Sequence, residues 1–278
     1  MTGLYLERIL PAVQARLEER KRRQPLHELE SRLESARLRL ARPSFTEALQ
    51  RPGISLIAEV KRRSPSKGPI HPELDVASLV RSYGRGGARA ISVLTEEDHF
   101  GGSLADLERA AAVSPLPILR KDFIIDEYQI VEAAVHGASA VLLIAALLPG
   151  DRARVLSDVA TGLALDVLLE VHDEDELDRA LAVTNAVIGI NNRDLRTFDV
   201  SLAVTGRLMD RLPSGRIVVS ESGIWTRDDI ALLEGLGVDA VLVGESLLRS
   251  PNVERATAEL LSLSRRAELP LRIENGET

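Results

Sequence analysis

The feature that most constrains the fold is a short apolar run that recurs eight times between helical stretches. Each run is rich in Val, Ile and Leu and lacks the apolar/polar alternation of half-buried strands. Such runs are typical of parallel strands that are buried on both faces. In chain order, the runs are Ile54–Val60, Ala88–Leu94, Pro117–Arg120, Ala138–Ile144, Asp166–Glu170, Val187–Ile190, Ile217–Ser220 and Ala240–Val243.

Helical segments separate these runs, and several are expected to end on a glycine, namely Gly84, Gly137 and Gly235. The clearest segments are Leu74–Gly84, Leu104–Val113, Tyr128–His136, Asp173–Val183 and Thr226–Leu236. A strand and a helix repeated eight times over about 200 residues predict a closed (β/α)8 TIM barrel. The main rival is an open doubly wound sheet, which usually has a glycine-rich turn after its first strand. Here the first run continues into Lys-Arg-Arg-Ser-Pro-Ser-Lys-Gly, which is no such turn.

Two helices are predicted ahead of the barrel. Residues 4–22 carry an apolar stripe at helical spacing and residues 27–41 a rougher one, with Gln24-Pro25 between them. We expect one domain over residues 1–278: a helical extension at 1–45, the barrel at 54–265 and a polar tail at 267–278.

Composition excludes several classes of function. The chain has no cysteine, so disulfides, thiolate nucleophiles and cysteine-bound metals are excluded. Its five histidines are scattered without an i, i+4 pair, and we expect no metal site. A net charge of -7 argues against bulk nucleic-acid binding. Because no apolar run reaches about 18 residues and no signal-like apolar region opens the chain, we expect a cytoplasmic protein with no membrane partner.

Lysine is rare in this chain. Of 35 Lys and Arg residues only four are lysine: Lys21, Lys61, Lys67 and Lys121. A desolvated lysine can lose its proton, whereas arginine does not, so lysines retained among many arginines are candidates for chemistry. Lys61 follows the first run and Lys121 the third. A ring of structural salt bridges is the alternative, but it would accept arginine equally well.

Polar residues follow the runs at the end where barrels carry their active sites. Glu59 has the same strand parity as Ile57 and Lys61, so these three residues share a face. Carboxylates beside half-buried lysines can act as general acids and bases. The candidates for catalysis are Glu59, Lys61, Lys121, Glu170, Asn191 and Glu221, and Arg193 follows the same strand as Asn191.

A phosphate site is expected after the last two strands. Ser222-Gly223 and Gly244-Glu245 stand where a glycine lets backbone N–H groups point at an anion, as barrels often arrange at these loops. Ser64 follows the first strand, which neighbours the eighth in a closed barrel, and can add a hydroxyl. Tight turns are the alternative explanation of these glycines. We therefore expect a small phosphorylated molecule as the partner of this protein.

Seven segments at the strand ends resemble indole-3-glycerol phosphate synthases. They are 57–68 (IAEVKRRSPSKG), 91–96 (ISVLTE), 119–124 (LRKDFI), 169–171 (LEV), 189–195 (GINNRDL), 220–224 (SESGI) and 242–247 (LVGESL). The resemblance implies that 1-(2-carboxyphenylamino)-1-deoxyribulose 5-phosphate closes to indole-3-glycerol phosphate with loss of carbon dioxide and water. This is a carboxy-lyase reaction of tryptophan biosynthesis, and no metal or organic cofactor is implied.

The resemblance also implies roles for single residues. Lys121 would be the general acid, Glu170 its acid/base partner in dehydration, and Lys61 the partner of the substrate carboxylate. Which lysine acts at which step stays open. Glu59 and Asn191 would orient the hydroxyls of the substrate and the two lysines.

The remaining roles concern binding. Glu221 would add a polar contact, and Phe123 would bracket the aromatic ring. The phosphate would be held by Ser64, Ser222, Gly223, Gly244 and Glu245. The N-terminal helices would cap the mouth of the barrel, and we expect a monomer or a weak homodimer.

Three other functions remain open. A Schiff-base lyase or aldolase would use Lys121 as its nucleophile. A phosphoribosylanthranilate isomerase would leave the N-terminal helices and the second lysine unexplained. A non-catalytic barrel that binds a phosphorylated metabolite would have no need of Glu59, Lys61, Lys121, Glu170 and Asn191 together.

Overall fold

The structure is a computed structural model that describes residues 4–39, 43–65 and 68–262. Lys67 and the predicted polar tail at 267–278 lie outside the described residues. Within the described part, eight parallel strands form a closed barrel, which confirms the predicted TIM-barrel fold. The strands are β1 (Ser55–Val60), β2 (Ala90–Leu94), β3 (Ile118–Lys121), β4 (Ala140–Ile144), β5 (Asp166–Val171), β6 (Val187–Asn191), β7 (Val218–Glu221) and β8 (Ala240–Val243).

The barrel closes because β1 pairs with both β2 and β8. Ile57 lies opposite Ala90 of β2 on one side and opposite Leu242 of β8 on the other. All the pairs are parallel, so the carboxyl ends of the strands meet at one rim. Asn191 and Glu221 lie opposite each other in the last register pair of β6 and β7.

Helices surround the barrel and connect its strands. They are α1 (Leu4–Arg23), α2 (Leu26–Arg39), α3 (Phe45–Leu49), α4 (Val76–Arg85), α5 (Leu104–Val113), α6 (Glu127–Val135), α7 (Arg152–Gly162), α8 (Glu174–Ala180), α9 (Ala203–Met209), α10 (Arg227–Gly235), α11 (Glu245–Leu248) and α12 (Val253–Leu260). Side-chain caps begin several of them, because Asp75, Ser103, Asp126, Asp173 and Thr226 each accept a backbone N–H of the first turn. None of the helices described here is long and apolar enough to cross a membrane.

Glycines end the helices later than predicted in two of three cases. Gly137 follows α6 with φ +99°, as expected. Gly84 and Gly235 instead lie inside the last turns of α4 and α10. The left-handed residues that release the chain are Gly87, at φ +99°, and Gly237, at φ +83°. The ends of α4 and α10 each carry more than one glycine, and the pattern alone does not tell which one adopts positive φ.

Strand residues alternate between two apolar layers. Leu56, Ala58 and Val60 of β1 pack towards the helices, whereas Ile57 belongs to the cluster inside the barrel. Glu59 and Lys61 both line a cavity inside the barrel, at the carboxyl end of β1. The predicted shared face of Ile57, Glu59 and Lys61 is therefore confirmed.

The N-terminal extension divides between the two ends of the barrel. Leu6 and Ile9 of α1 are buried against Phe123 at the mouth, as predicted. α3 instead closes the opposite end, where Ser44 Oγ donates to Asp166 Oδ2 (3.0 Å) at the start of β5. α2 packs along α6. The expectation that residues 1–45 all cap the mouth is therefore wrong for α2 and for the start of α3, because the chain must run down the outside of the barrel to enter β1 from below.

Candidate active site

A cavity of about 390 Å3 opens at the carboxyl end of the barrel, beneath α1. Closure of the barrel brings the ends of distant strands to this one place. Every residue predicted for the site lines the cavity: Glu59, Lys61, Ser64, Lys121, Phe123, Glu170, Asn191, Arg193, Glu221, Ser222, Gly223, Gly244 and Glu245.

Lys121 lies at the centre of the cavity floor, between two glutamates. Its Nζ is 3.1 Å from Glu170 Oε2 and 3.1 Å from Glu221 Oε2. Both carboxylates are almost fully buried, and 14% of the Lys121 side chain remains exposed to the cavity. A buried charge is costly unless it is paired, so this triad is stable only because one ammonium group serves both carboxylates.

The pKa values of these three groups differ because their partners differ. Burial would lower the pKa of Lys121, but the charges of Glu170, Glu221 and Glu59 raise it above the ordinary value. Burial would likewise raise the pKa of Glu170, but Lys121 and then His172 hold it well below its usual range. Burial raises the pKa of Glu221 to about 7, since the nearby negative charge of Glu170 offsets part of the effect of Lys121. Around neutral pH the site thus holds an ammonium, a carboxylate and a carboxyl group that is partly protonated.

A second lysine–glutamate pair lies beside the triad. Lys61 Nζ donates to Glu59 Oε1 at 2.5 Å, and Glu59 is buried. Unlike Lys121, Lys61 contacts only one carboxylate among the ion pairs of the described residues. It therefore retains donors for an incoming anion.

Two glycines make room for these glutamates inside the barrel. An added Cβ at Gly189 would lie 2.5 Å from Glu221 Oε1, and one at Gly244 would lie 2.6 Å from Glu59 Oε1. Real Cβ atoms do not come this close to other atoms. Gly189 and Gly244 thus leave space for the glutamate side chains, apart from any role of glycine in turns.

Glu170 is held from the side that faces away from Lys121. Asn191 Nδ2 donates to Glu170 Oε1 (3.2 Å), and His172 Nε2 lies 3.2 Å from the same oxygen. His172 Nδ1 in turn lies 3.0 Å from Glu176 Oε2 on α8. His172 and Glu176 are not among the residues predicted for the site. Their i, i+4 spacing across the loop into α8 was the available signal.

The end of the cavity near β7 and β8 has features of an anion site. Ser64 Oγ is buried there without a hydrogen-bond partner among the described residues. Ser222 and Gly223 both have positive φ, +67° and +80°, and an added Cβ at Gly223 would lie 2.5 Å from Val200 Cγ1. Gly244 precedes α11, whose first residue is Glu245. A buried hydroxyl without a hydrogen-bond partner, in a cavity whose wall includes these two loops, is consistent with the predicted phosphate site.

Aromatic and aliphatic side chains cover the rest of the wall. The ring of Phe123 lies 6.4 Å from that of Phe100, between centroids. Leu6 of α1 also lines the cavity, and half-exposed Trp225 stands at its edge. Phe100, Leu6 and Trp225 were not predicted, because apolar residues in loops and surface helices give no periodic signal of a site.

Arg193 is fixed at the edge of the cavity by its own loop. Its backbone N–H donates to Asn191 Oδ1 (3.0 Å), and its Nη1 donates to the carbonyl oxygen of Phe198 (3.2 Å). The hydrogen bond to Phe198 therefore holds the guanidinium group in one orientation.

Three polar residues at strand ends, Arg120, Asn192 and Ser220, do not line the cavity. Arg120 is fully buried behind the barrel wall, where its Nη2 lies 2.9 Å from both Asp122 Oδ2 and Glu132 Oε2. Asn192 and Ser220 form a second buried network, with Nδ2 donating to Oγ at 2.9 Å. Polar residues at the ends of these strands thus alternate along the chain: one residue lines the cavity, and its neighbour forms buried contacts behind the barrel wall. No group of three or more possible metal ligands converges in the described ranges.

Comparison with known proteins identifies the family of this chain. The family model described as indole-3-glycerol phosphate synthase matches residues 6–260, nearly the whole chain. The chain belongs to the indole-3-glycerol phosphate synthase family.

Curated members of this family are similar to the chain over most of its length. An indole-3-glycerol phosphate synthase of Dehalococcoides mccartyi is 47% identical over 263 residues, which cover 93% of this chain and 100% of the relative. Indole-3-glycerol phosphate synthase 2 of Streptomyces coelicolor is 50% identical over 206 residues, or 74% of this chain and 80% of the relative.

Solved structures outside the synthase family share the fold. A thiamine phosphate pyrophosphorylase from Pyrococcus furiosus has a TM-score of 0.59 at 18% identity, and covers 78% of this chain and 98% of its own. A mutant tryptophan synthase alpha-subunit from the same organism has a TM-score of 0.58 at 14% identity, and covers 76% and 99%. At these identities the likeness shows the barrel alone.

Proposed function

We propose that this protein converts 1-(2-carboxyphenylamino)-1-deoxyribulose 5-phosphate into indole-3-glycerol phosphate, carbon dioxide and water, as a carboxy-lyase of tryptophan biosynthesis. The observation that carries the proposal is the arrangement of Lys121 between Glu170 and Glu221, with Lys61 beside them, in a chain of this family. The reaction needs a proton donor, a proton acceptor and a cation for a carboxylate, and these residue types supply all three.

Ring closure forms a bond from the carboxylate-bearing ring carbon to the carbonyl carbon of the ribulose chain. Lys121 donates a proton to the carbonyl oxygen, which becomes a hydroxyl group. Breaking the bond to carbon dioxide then returns its electron pair to the ring and restores aromaticity. Lys61 binds the carboxylate before this step and orients the ring for attack, because it keeps donors that no second carboxylate uses.

Dehydration completes the indole. The hydroxyl group leaves as water after taking a proton from an acid, and a base removes a proton from the carbon next to nitrogen. Glu170 is ionised and lies 3.1 Å from Lys121 Nζ, so the two groups form the acid/base pair that this step needs. Glu59 and Asn191 orient the lysines and the substrate hydroxyls, and Glu221 adds a polar contact.

The phosphate occupies the end of the cavity formed by Ser64, Ser222, Gly223, Gly244 and Glu245. The unpaired Ser64 hydroxyl supports this assignment. Phe123 brackets the aromatic ring at the opposite wall, and Arg193 contributes a fixed positive charge.

Inorganic phosphate should compete with the substrate. Ser64→Ala should raise the inhibition constant of phosphate roughly tenfold, because one hydrogen bond to a charged group is lost.

Product analysis tests the proposed reaction. Incubation of the purified protein with the substrate should give a species lighter by one carbon dioxide and one water, as seen by mass spectrometry. An unchanged substrate mass, with protein shown to be folded, would contradict the proposal.

The geometry disfavours a Schiff-base aldolase. A lysine that attacks a carbonyl must first lose its proton, which requires a lowered pKa. Lys121 is instead paired with two carboxylates, and its pKa is raised. Borohydride added during turnover should therefore leave the protein mass unchanged, and a reduced adduct on Lys121 would support the aldolase.

We further propose that residues 1–278 form one domain, which acts in the cytoplasm as a monomer or a weak homodimer without nucleic acid and without a metal or organic cofactor. The net charge of -7 supports the absence of a nucleic-acid partner. Among the described residues the exposed large apolar side chains are few: Leu26, Val200, Trp225, Leu232 and Leu236. Sedimentation velocity across a range of protein concentrations tests the oligomeric state.

A further inference from the structure

His172 connects the carboxylate of Glu170 to a second carboxylate outside the cavity. Its Nε2 lies 3.2 Å from Glu170 Oε1, and its Nδ1 lies 3.0 Å from Glu176 Oε2. The backbone N–H of His172 also donates to Glu176 Oε2 (2.8 Å). Because Glu176 contacts both the ring and the backbone, the imidazole is fixed in one orientation, and 13% of the side chain is exposed.

Both ring nitrogens of His172 face a carboxylate oxygen. A neutral imidazole would turn one lone pair towards a negative charge, so these two ion-pair contacts favour the doubly protonated ring. Burial opposes that charge, but the contacts with Glu170 and Glu176 outweigh burial and raise the pKa of His172 to about 10.

The two glutamates beside Lys121 are unequal because of this contact. Both lie 3.1 Å from Lys121 Nζ. Glu170 also accepts a hydrogen bond from Asn191 on its other oxygen and lies within ion-pair distance of His172 Nε2, which is not aligned for a hydrogen bond. Neither oxygen of Glu221 has a hydrogen-bond partner within the described residues. Two carboxylates that share one cation compete to remain ionised, and the better-supported one prevails.

We propose that His172 is a positioning residue that holds Glu170 ionised and turned towards Lys121, and so makes Glu221 the glutamate that takes up the proton. The proposal rests on the proposed function of Lys121 and Glu170. His172 does not line the catalytic cavity, so it acts through Glu170 and not on the substrate. Glu176 fixes the imidazole ring so that its Nε2 lies next to Glu170.

Steady-state kinetics separate positioning from binding. His172→Ala should lower kcat roughly 10- to 100-fold, the loss of one contact to a charged group, while KM changes less than about threefold. His172→Gln keeps an uncharged amide N–H donor and should recover part of kcat. Glu176→Gln, which retains size but removes the negative charge beside the ring, should lower kcat in the same direction. Wild-type kcat in His172→Ala, or a loss confined to KM, would overturn the proposal.

A matched control separates the role of His172 from the general cost of losing a histidine. His136 Nδ1 lies 2.9 Å from Glu108 Oε1 at the end of α6, outside the cavity. His136→Gln should therefore leave kcat within about twofold of the wild type. If it lowered kcat as much as His172→Gln does, the effect would be structural and the proposal would fail.

A measurement on the resting protein makes the test independent of turnover. Histidine ring NMR of the wild type, with the His172 signal assigned by its loss in His172→Gln, should show a doubly protonated ring through pH 8. A His172 ring that titrates near its ordinary pKa of about 6.5 would overturn the inference. A charged ring in a protein with no turnover would leave the inference standing and refute only the proposed function.

Discussion

Lys61 and Lys121 lie in the same cavity, but they contact different numbers of carboxylates and are therefore suited to different roles. Lys121 meets two carboxylates, whereas Lys61 meets one. A lysine with both sides occupied is held in place as a proton donor, and a lysine with free donors can receive the carboxylate of a substrate. Division of labour between the two lysines therefore follows from their partners.

Lys121→Ala tests this division. The variant loses the proton donor, and kcat should fall roughly 100- to 10,000-fold, the usual range for general acid catalysis. Lys21→Ala is the matched control, because Lys21 of α1 pairs with Asp126, the N-cap of α6, outside the cavity. Circular dichroism should show intact folds in both. A Lys121→Ala enzyme with wild-type kcat would refute the general-acid role.

Glu221 should determine the pH dependence of the reaction. Burial raises its pKa to about 7, so it becomes increasingly ionised as pH rises through 7. The ionised group adds negative charge beside an anionic substrate and strengthens the hold on the Lys121 proton. We therefore expect kcat/KM to fall as pH rises above about 7, and Glu221→Gln to flatten that limb. An unchanged limb in the variant would show that another group titrates there.

At the scale of helices and strands, the buried barrel strands could be predicted from the sequence, whereas elements of five residues or fewer could not. Each barrel strand begins or ends within two residues of its predicted bounds, because a strand buried on both faces must be apolar throughout. α3 was missed because five residues are too few to show a helical period. The two-residue strands Arg63–Ser64 and Gly68–Pro69 were missed for the same reason.

The helices α1 and α3 close opposite ends of the barrel, and one substitution in each separates their roles. Leu6 and Leu49 are both buried, at 2% and 1% exposure. Either Leu→Ala change should lower the free energy of unfolding by about 2–5 kcal/mol. Only Leu6→Ala should also raise KM, roughly fivefold, because Leu6 lines the cavity. Denaturant unfolding and steady-state kinetics check both results. Equal KM values in the two variants would contradict a role of α1 at the site.

For the whole molecule, closure of the barrel explains why so much of the site was predictable. Glu59 and Gly244 are far apart in sequence, yet an added Cβ at Gly244 would lie 2.6 Å from the Glu59 carboxylate. Once eight strands are recognised, the position of each residue at a strand end follows from topology. Topology does not give contacts that depend on side-chain conformation. The positions of Phe100 and Leu6 at the cavity therefore became visible only in the structure, and so did the contact of His172 with Glu170.

The measurement that tests the proposed function most directly is a fluorescence assay for the indole product. It uses purified wild-type protein, 1-(2-carboxyphenylamino)-1-deoxyribulose 5-phosphate and EDTA, with no added metal. We predict that indole fluorescence appears at a rate on the order of 1 per second or faster, within the usual range for enzymes. Saturable binding of this substrate to folded protein without any product would contradict the proposed catalysis and would point to a barrel that only binds a phosphorylated metabolite.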